Sequence, residues 1–333
     1  LKNTDLSHRP IGRLLEGISP SMMDIGARGG ADESMLDIAW ASTMYAFEPE
    51  PAEAKRLAAA GDDRWKTFHV LPFAVGSLTG KSDLHIPETP AGASLLEHNP
   101  EMLDRFGYPQ LHRTQQRVAV DTVTLDDLAA VGKIGRVDYM KLDIEGPELP
   151  VMQAGRNVLR DCVVVKTECS FLEQRLGQPR TWEVAEFLID HGFEVVEIRD
   201  VHRWRRRNLP GHPYVINSKM PYSRGQIAQC DLVAIRSSRM CESLEQSLRL
   251  VILSAALGYF DYAVDALRNT AGLREHVSDN YRFDLEAELR HWSKAYGRRA
   301  LRAAMKSHVR ATVPLVRSML RRLPFSRSAD QSY

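Results

Sequence analysis

Met22-Met23-Asp24-Ile25-Gly26-Ala27-Arg28-Gly29-Gly30 is the stretch from which the rest of the chain is read. An apolar strand running straight into a glycine-rich turn opens an α/β unit, and open parallel sheets bind ligands at the carboxyl ends of such strands. Glycine at the tip admits close approach to the backbone and tolerates positive φ. A tight turn between a buried strand and a helix wants glycine for structural reasons too, so this stretch alone names no ligand.

Outward from it, from Met22 to about Ile235, short apolar runs alternate with helical patterns, the signature of a parallel sheet covered on both faces. The expected strands are Ser21 to Ile25, Met44 to Phe47, Phe68 to Leu71, Tyr139 to Leu142, Cys162 to Thr167, Phe193 to Ile198 and Leu232 to Ile235. Helices are expected over Ser34 to Ala41, over Pro51 to Ala60 with Pro51 in its first turn and Gly61 as its stop, and over Trp182 to His191. Two segments interrupt the alternation. Residues 76–136 read as an insertion with a strand near Arg117 to Val120 and a short helix near Asp126 to Val131, and residues 199–229 as an irregular excursion.

The domain reading is therefore an N-terminal segment (1–20), a doubly wound α/β domain (21–237) and a helical, basic C-terminal extension (238–333). In the extension, Ser243 to Leu257 and Tyr259 to Leu267 read as a helical hairpin. From Lys294 onward there are ten Lys/Arg and one Asp, with Leu301, Met305, Val309, Val316 and Leu320 on an apolar stripe that Pro314 is expected to break.

Composition fits a soluble globular chain: 333 residues, 44% hydrophobic and 26% charged. Lys+Arg (44) and Asp+Glu (43) nearly cancel, so no overall field draws a nucleic acid, and none is expected as a partner. Cys162, Cys169, Cys230 and Cys241 lack CxxC spacing, which fits a reducing compartment. No apolar run approaches the roughly 18 to 20 residues of a membrane span. The opening LKNTDLSHRPIGRL has no apolar signal-peptide core, so the cytoplasm is the expectation.

The second informative stretch is Phe47-Glu48-Pro49-Glu50, ending the second strand about 20 residues after the first turn. A carboxylate there can accept both ribose hydroxyls of a nucleoside. A dinucleotide site wants GxGxxG, whereas here the glycines fall at 26, 29 and 30 with Arg28 between them. The third and most specific stretch is Val137-Asp138-Tyr139-Met140-Lys141-Leu142-Asp143-Ile144-Glu145-Gly146-Pro147-Glu148. Asp143 closes a strand, and Glu145 and Glu148 follow in the turn and helix start. Carboxylates converging there can stabilise a cation, take up a proton or hold a divalent ion. Acidic residues in a first helical turn are also ordinary capping chemistry, a reading that suits Glu148 as well as a functional one.

In order, DIGARGG, FEPEP, FHVLPFAVGSLTG, VAVDTVTLDDL and VDYMKLDIEGPELPVMQAG resemble the FkbM family of S-adenosylmethionine-dependent methyltransferases over roughly residues 20–236. The resemblance implies a Rossmann-like sheet of seven strands whose last strand is antiparallel, and O-methylation of sugars, oligosaccharides or polyketides. It implies that Asp24, Gly26 and Ala27 line the methionine portion, that Glu48 holds the ribose and that Asp143 stands beside the sulfonium; Arg28, where the family commonly has Asn, Gly30 in the same loop and Pro49 beside Glu48 are counted with the cofactor site. No divalent metal is implied, although these carboxylates can hold one.

An alcohol is a poor nucleophile while neutral, so a base is expected among Asp143, Glu145 and Glu168. Histidines 69, 98, 112, 202 and 212 are weaker alternatives. For the acceptor, Ser94 in Gly92-Ala93-Ser94-Leu95-Leu96 can supply a hydrogen bond. Arg203, Arg205 and Arg206, with Arg207, can grip an anionic group while Trp204 stacks on a sugar; a plain solvated charge run is the rival reading. The rival functions are a nicotinamide-dependent dehydrogenase, which lacks its glycine fingerprint, and a non-catalytic nucleotide-fold scaffold. The basic tail leaves docking on the inner face of a membrane and self-association both open.

Overall fold

The computed structural model describes residues 6–106, 113–207 and 224–322, with residues 307–322 as backbone. Its strands in chain order are β1 (Ser21–Ile25), β2 (Thr43–Phe47), β3 (Thr67–Leu71), β4 (Ala74–Val75), β5 (Gly80–Pro87), β6 (Thr114–Val123), β7 (Tyr139–Leu142), β8 (Val164–Ser170), β9 (Phe193–Trp204) and β10 (Gln226–Arg236). Seven of them form one sheet in the order β3-β2-β1-β7-β8-β10-β9. Neighbours from β3 to β8 run parallel, and β10, the last in the chain, runs antiparallel to both β8 and β9. The chain winds outward from β1 to β3 and returns to place β7 on the other side of β1, so the switch of strand order falls between β1 and β7.

Alternation along the strands sorts two cores. Met22, Met44, Tyr139, Val164, Val233 and Ile235 face one side, whereas Met23, Phe47, Met140, Leu142, Val165 and Leu232 face the other. The second side is covered by α4 (Leu125–Ala130), α5 (Glu148–Ala154), α6 (Arg156–Asp161) and α7 (Thr181–Asp190). The first is covered by α1 (Pro10–Ile18), α8 (Leu244–Ala256), α9 (Phe260–Asn269), α10 (Leu273–Tyr281) and the start of α11 (Leu285–Arg322). Two further helices, α2 (Pro51–Ala60) and α3 (Pro100–Phe106), flank the sheet and the insertion. Among the described residues, no helix is long and apolar enough to cross a membrane.

The C-terminal helices pack against the strands directly. Leu248, Val251, Ile252 and Trp292 share a core with Met22 and Val233, and Trp292 meets Phe260 edge-on at 5.7 Å. Arg249 of α8 reaches the fully buried Asp138, with Nε 2.7 Å from Oδ1. Asp138 also accepts from the Ser21 amide at 2.9 Å and from Arg136 Nε at 2.8 Å, joining β1, β7 and α8 at one carboxylate. Arg299 of α11 still pairs with Asp37, whereas Leu301 and Met305 further along are exposed.

Four elements differ from the sequence expectation. Ser34 to Ala41 forms turns closing into a short 3₁₀ segment, because Asp32 and Asp37 at its ends are held by Tyr139, Lys166 and Arg299, which pulls the backbone into i→i+3 bonds. The strand foreseen near Arg117 is the ten-residue β6, paired with β5 and β4 in a second sheet. The excursion after Ile198 is regular for longer than expected, since β9 continues to Trp204 and β10 begins at Gln226. Residues 208–223, with His212, and residue His112 lie outside the described residues, as do the side chains of Val309, Val316 and Leu320. The α11 backbone runs helical through Pro314, where a break was expected.

Replacing Asp138 strands the buried Arg249 guanidinium. Asp138→Ala is expected to cost about 3–5 kcal/mol in urea unfolding; a loss below about 1 kcal/mol would show that the carboxylate does not tie the helical face to the sheet.

Candidate active site

At the switch point the β1 and β7 tips are in backbone contact. The Asp143 amide donates to Ile25 O at 3.0 Å, and Gly26 sits at φ +95°. A Cβ on Gly26 would lie 2.0 Å from Asp143 O, so no other residue fits without moving the β7 turn. Lys141, the one cation in an otherwise apolar strand, stands below this contact. Its ammonium lies 3.0 Å from Asp24 Oδ1 and 3.3 Å from Asp143 Oδ2, and donates to Gly26 O at 3.2 Å. Burial pulls the Lys141 pKa down, but attraction to Asp24 and then Asp143 outweighs it and the net shift is upward. Burial pushes the Asp24 carboxyl above the usual carboxylate range, against the pull of Lys141.

Above the contact opens a cavity of about 280 Å³. At one end is Glu48, buried at the tip of β2, where Oε1 accepts from the Glu50 amide at 2.8 Å. Burial raises the Glu48 pKa. Arg28 and Glu50 form an ion pair of 2.6 Å at this end. One flank is apolar: Leu84 and Ile86 from β5, with Ala93 and Leu95 after it. The other end holds Asp143, Glu145 and Glu168, whose carboxylate oxygens lie within 4.8 Å of one another.

Each of these three carboxylates has a protein partner. Asp143 has Lys141, Glu145 has Arg175, and Glu168 Oε1 accepts from Gln229 Nε2 at 2.7 Å. Glu145 is held at φ +64°, a left-handed conformation unusual for a side chain of this size. Arg175 sets that position: it is almost fully buried, pairs with Glu145 and donates to Gly92 O at 3.3 Å, so one guanidinium joins the β7 turn to the insertion. Burial, opposed by Arg175, raises the Glu145 pKa. Glu168 is pushed well above the usual range by burial, then by repulsion from Glu145, Asp143 and Glu148. With an ammonium and a guanidinium already engaging two of the three, we assign no ion to the cluster.

The geometry brings together Gly26, Arg28, Glu48, Pro49, Ser94, Asp143, Glu145 and Glu168 as lining residues. It does not bring Asp24, Ala27 or Gly30 to the surface of the cavity. Asp24 lies one layer below, with Oδ2 accepting from the Asp32 amide at 2.7 Å, and the Ala27 amide is spent on Phe47 O at 2.9 Å. Ser94 lines the wall, but its Oγ accepts from the Leu96 amide at 3.0 Å. Arg203, Arg205 and Arg206 are not in the lining, and Trp204 is packed under Phe106 at 5.7 Å, leaving no open aromatic face for a sugar. Glu148 serves the backbone, accepting from the Gly146 amide at 2.9 Å and the Ile144 amide at 3.2 Å.

Sequence reasoning gave no role to Lys141, Arg175 or Gln229. For Lys141 a signal existed, since lone opposite charges stand in the apolar strands MMDI and YMKL. Arg175 and Gln229 reach the site only through tertiary contacts.

Compared with known proteins, residues 24–195 match the family model described as the methyltransferase FkbM domain. The chain belongs to the FkbM methyltransferase family. The FkbM domain is similar to the 2-O-methyltransferase NoeI of Sinorhizobium fredii, at 26% identity over 181 residues, 51% of this chain and 72% of NoeI. It is also similar to the hexuronic acid methyltransferase AglP of Haloferax volcanii, at 24% identity over 147 residues, 44% of this chain and 54% of AglP. Solved structures similar to it include magnesium protoporphyrin IX methyltransferase from Synechocystis PCC 6803 (10% identity, TM-score 0.32, covering 68% of this chain and 80% of that one). Another is 1,6-didemethyltoxoflavin-N1-methyltransferase from Burkholderia thailandensis (14%, TM-score 0.31, 70% and 80%).

Burial raises Glu148 to about 7 from an ordinary 4.5. Between those values the native state holds a proton that the unfolded state has released, so stability falls as pH rises from about 4.5 to about 7 and stays lower above. Groups held low, such as Glu53 and Glu286 at about 2 beside their arginines, contribute fully across that window and do not mask the slope. Glu148→Gln is expected to remove on the order of 3 kcal/mol of the decline. Urea unfolding from pH 4.5 to 8 measures this, and a pH-independent difference between variant and parent would refute it.

Proposed function

We propose that the chain is an S-adenosylmethionine-dependent O-methyltransferase whose acceptor is a hydroxyl of a sugar, a glycan or a glycosylated natural product. The observation that carries the reading is a single cavity at the strand-order switch, with a buried carboxylate at one end and three carboxylates at the other, in a chain of the FkbM family. Similarity to the 2-O-methyltransferase NoeI and the hexuronic acid methyltransferase AglP supports a sugar acceptor and leaves its charge open.

The residues suit the cofactor. Glu48 has one oxygen engaged by a backbone amide, and its carboxylate can still accept ribose hydroxyls. The apolar lining residues Phe47, Phe73 and Val75 suit an adenine ring, and the bare Gly26 backbone permits close approach. When bound, S-adenosylmethionine supplies an electrophilic methyl group on a sulfonium. Asp143 contributes negative charge next to that end, and the apolar flank of the insertion keeps water away from the acceptor. The carboxylate cluster would hold the acceptor hydroxyl by a hydrogen bond and take up its proton, while the methyl carbon would exchange its bond to sulfur for one to that oxygen and leave S-adenosylhomocysteine. Glu168, whose hydrogen-bond partner is the neutral Gln229 amide, accepts that proton in its ionised form, which burial and its carboxylate neighbours make the less favoured one, and Asp143 and Glu145 shape the field around it. Positioning the hydroxyl in line supplies much of the remaining rate.

Calorimetry on ligand-stripped protein is expected to register S-adenosylmethionine, and Glu48→Ala to weaken it by about 10- to 100-fold. Glu168→Gln and Asp143→Asn are expected to bind it but to lower kcat by about 100- to 10,000-fold in an acceptor assay read by mass. Absence of uptake of S-adenosylmethionine or S-adenosylhomocysteine by folded protein would overturn the reading.

A further inference from the structure

We propose that the glycosyl unit entering the cavity is electrically neutral, and that a uronate or a sugar phosphate is rejected. This rests on the methyltransferase reading above and adds the class of sugar. Among the described residues, the charged side chains lining the cavity are Glu48, Glu50, Asp143, Glu145, Glu168 and Arg28. The only cation in that set, Arg28, is at the Glu48 end and is paired with Glu50 at 2.6 Å. The two cations near the other end stand behind the wall and are committed: Lys141 is shared by Asp24 and Asp143, and Arg175 is engaged by Glu145 and Gly92 O.

The local balance is therefore negative. Two aspartates share one ammonium, one glutamate is matched by one guanidinium, and Glu168 faces an amide. A sulfonium arriving with the cofactor is matched by this excess, and an acceptor carboxylate brings a further negative charge with no uncommitted cation among the described lining residues to meet it. Glu168 reports what that field does, since burial and three neighbouring carboxylates already drive it toward the protonated form. The opposing wall suits the same class: Leu84, Ile86, Ala93 and Leu95 offer contact to the C–H face of a sugar, while hydroxyls can donate to the carboxylates. The arginines at 203, 205 and 206 do not alter the count, because none lines the cavity.

The test is a matched panel of p-nitrophenyl glycosides at pH 7.5: glucoside, galactoside, mannoside and fucoside against glucuronide and galacturonide. Binding to S-adenosylhomocysteine-loaded protein is read by saturation-transfer NMR, and methylation with S-adenosylmethionine by mass. Neutral members are expected to bind, and to exceed the uronides by about 30-fold or more in kcat/KM; Glu168→Gln is expected to narrow the gap in binding. Uronides that bind or react as well as their neutral counterparts overturn the proposal, as does failure of every neutral member to bind. Calorimetry on the same preparation separates the two readings: no cofactor uptake condemns the methyltransferase reading itself, whereas uptake with uronide preference condemns only the neutral-acceptor proposal.

Discussion

The Lys141 ammonium, held between Asp24 and Asp143 directly beneath the Gly26–Asp143 backbone contact, is the interaction on which the site depends. A buried ammonium is costly without opposite charge around it, and here two carboxylates supply that charge. The pair of strand tips is thus locked by charge from below and by a glycine that permits contact from above. Everything that lines the cavity is measured from that lock: Glu48 one strand to one side, Glu168 one strand to the other.

Beside it a second polar layer continues across the same face of the sheet. Asp32 accepts from Tyr139 Oη at 2.9 Å and from Lys166 Nζ at 3.0 Å, and Lys166 also lies 3.6 Å from Asp231. This layer explains why the segment after β1 turns instead of forming a helix. Its start is tied to the sheet through Asp32, and its end is tied to α11 through Asp37. The C-terminal helices are thereby tied to the segment after β1 through Asp37 and to the starts of β1 and β7 through the Asp138–Arg249 pair, while burying one apolar face of the sheet.

Arg175 performs the corresponding task at the open end. It fixes Glu145 in a left-handed conformation and anchors the insertion at Gly92. Gly146 beside it is equally constrained, since a Cβ there would meet Arg175 and Leu96 at 3.1 and 3.2 Å. Strain, burial and like charge are concentrated within a few residues, the pattern expected where proton affinity is tuned for chemistry.

The sequence by itself determined the seven strands of the main sheet, the helix Pro51–Ala60, the position of the crevice and the family, but not β4 or β5 of the second sheet. Each depends on local signals: apolar period, capping residues, and glycine or carboxylate at a strand tip. It also placed Glu48, Asp143, Glu145 and Glu168 on the cavity. What only the tertiary structure decided was which charges meet. Arg175 and Gln229 come from segments far from Glu145 and Glu168 in the chain, and no spacing rule links them. The family resemblance implies Asp24 and Ala27 at the methionine portion, and their hydrogen bonds to the Asp32 amide and to Phe47 O set them behind the residues that line the cavity. Trp204 was read as an open aromatic, and packing against Phe106 buries it. Local pattern fixes the path of a chain, but the partner of a charge depends on which distant segment folding sets beside it.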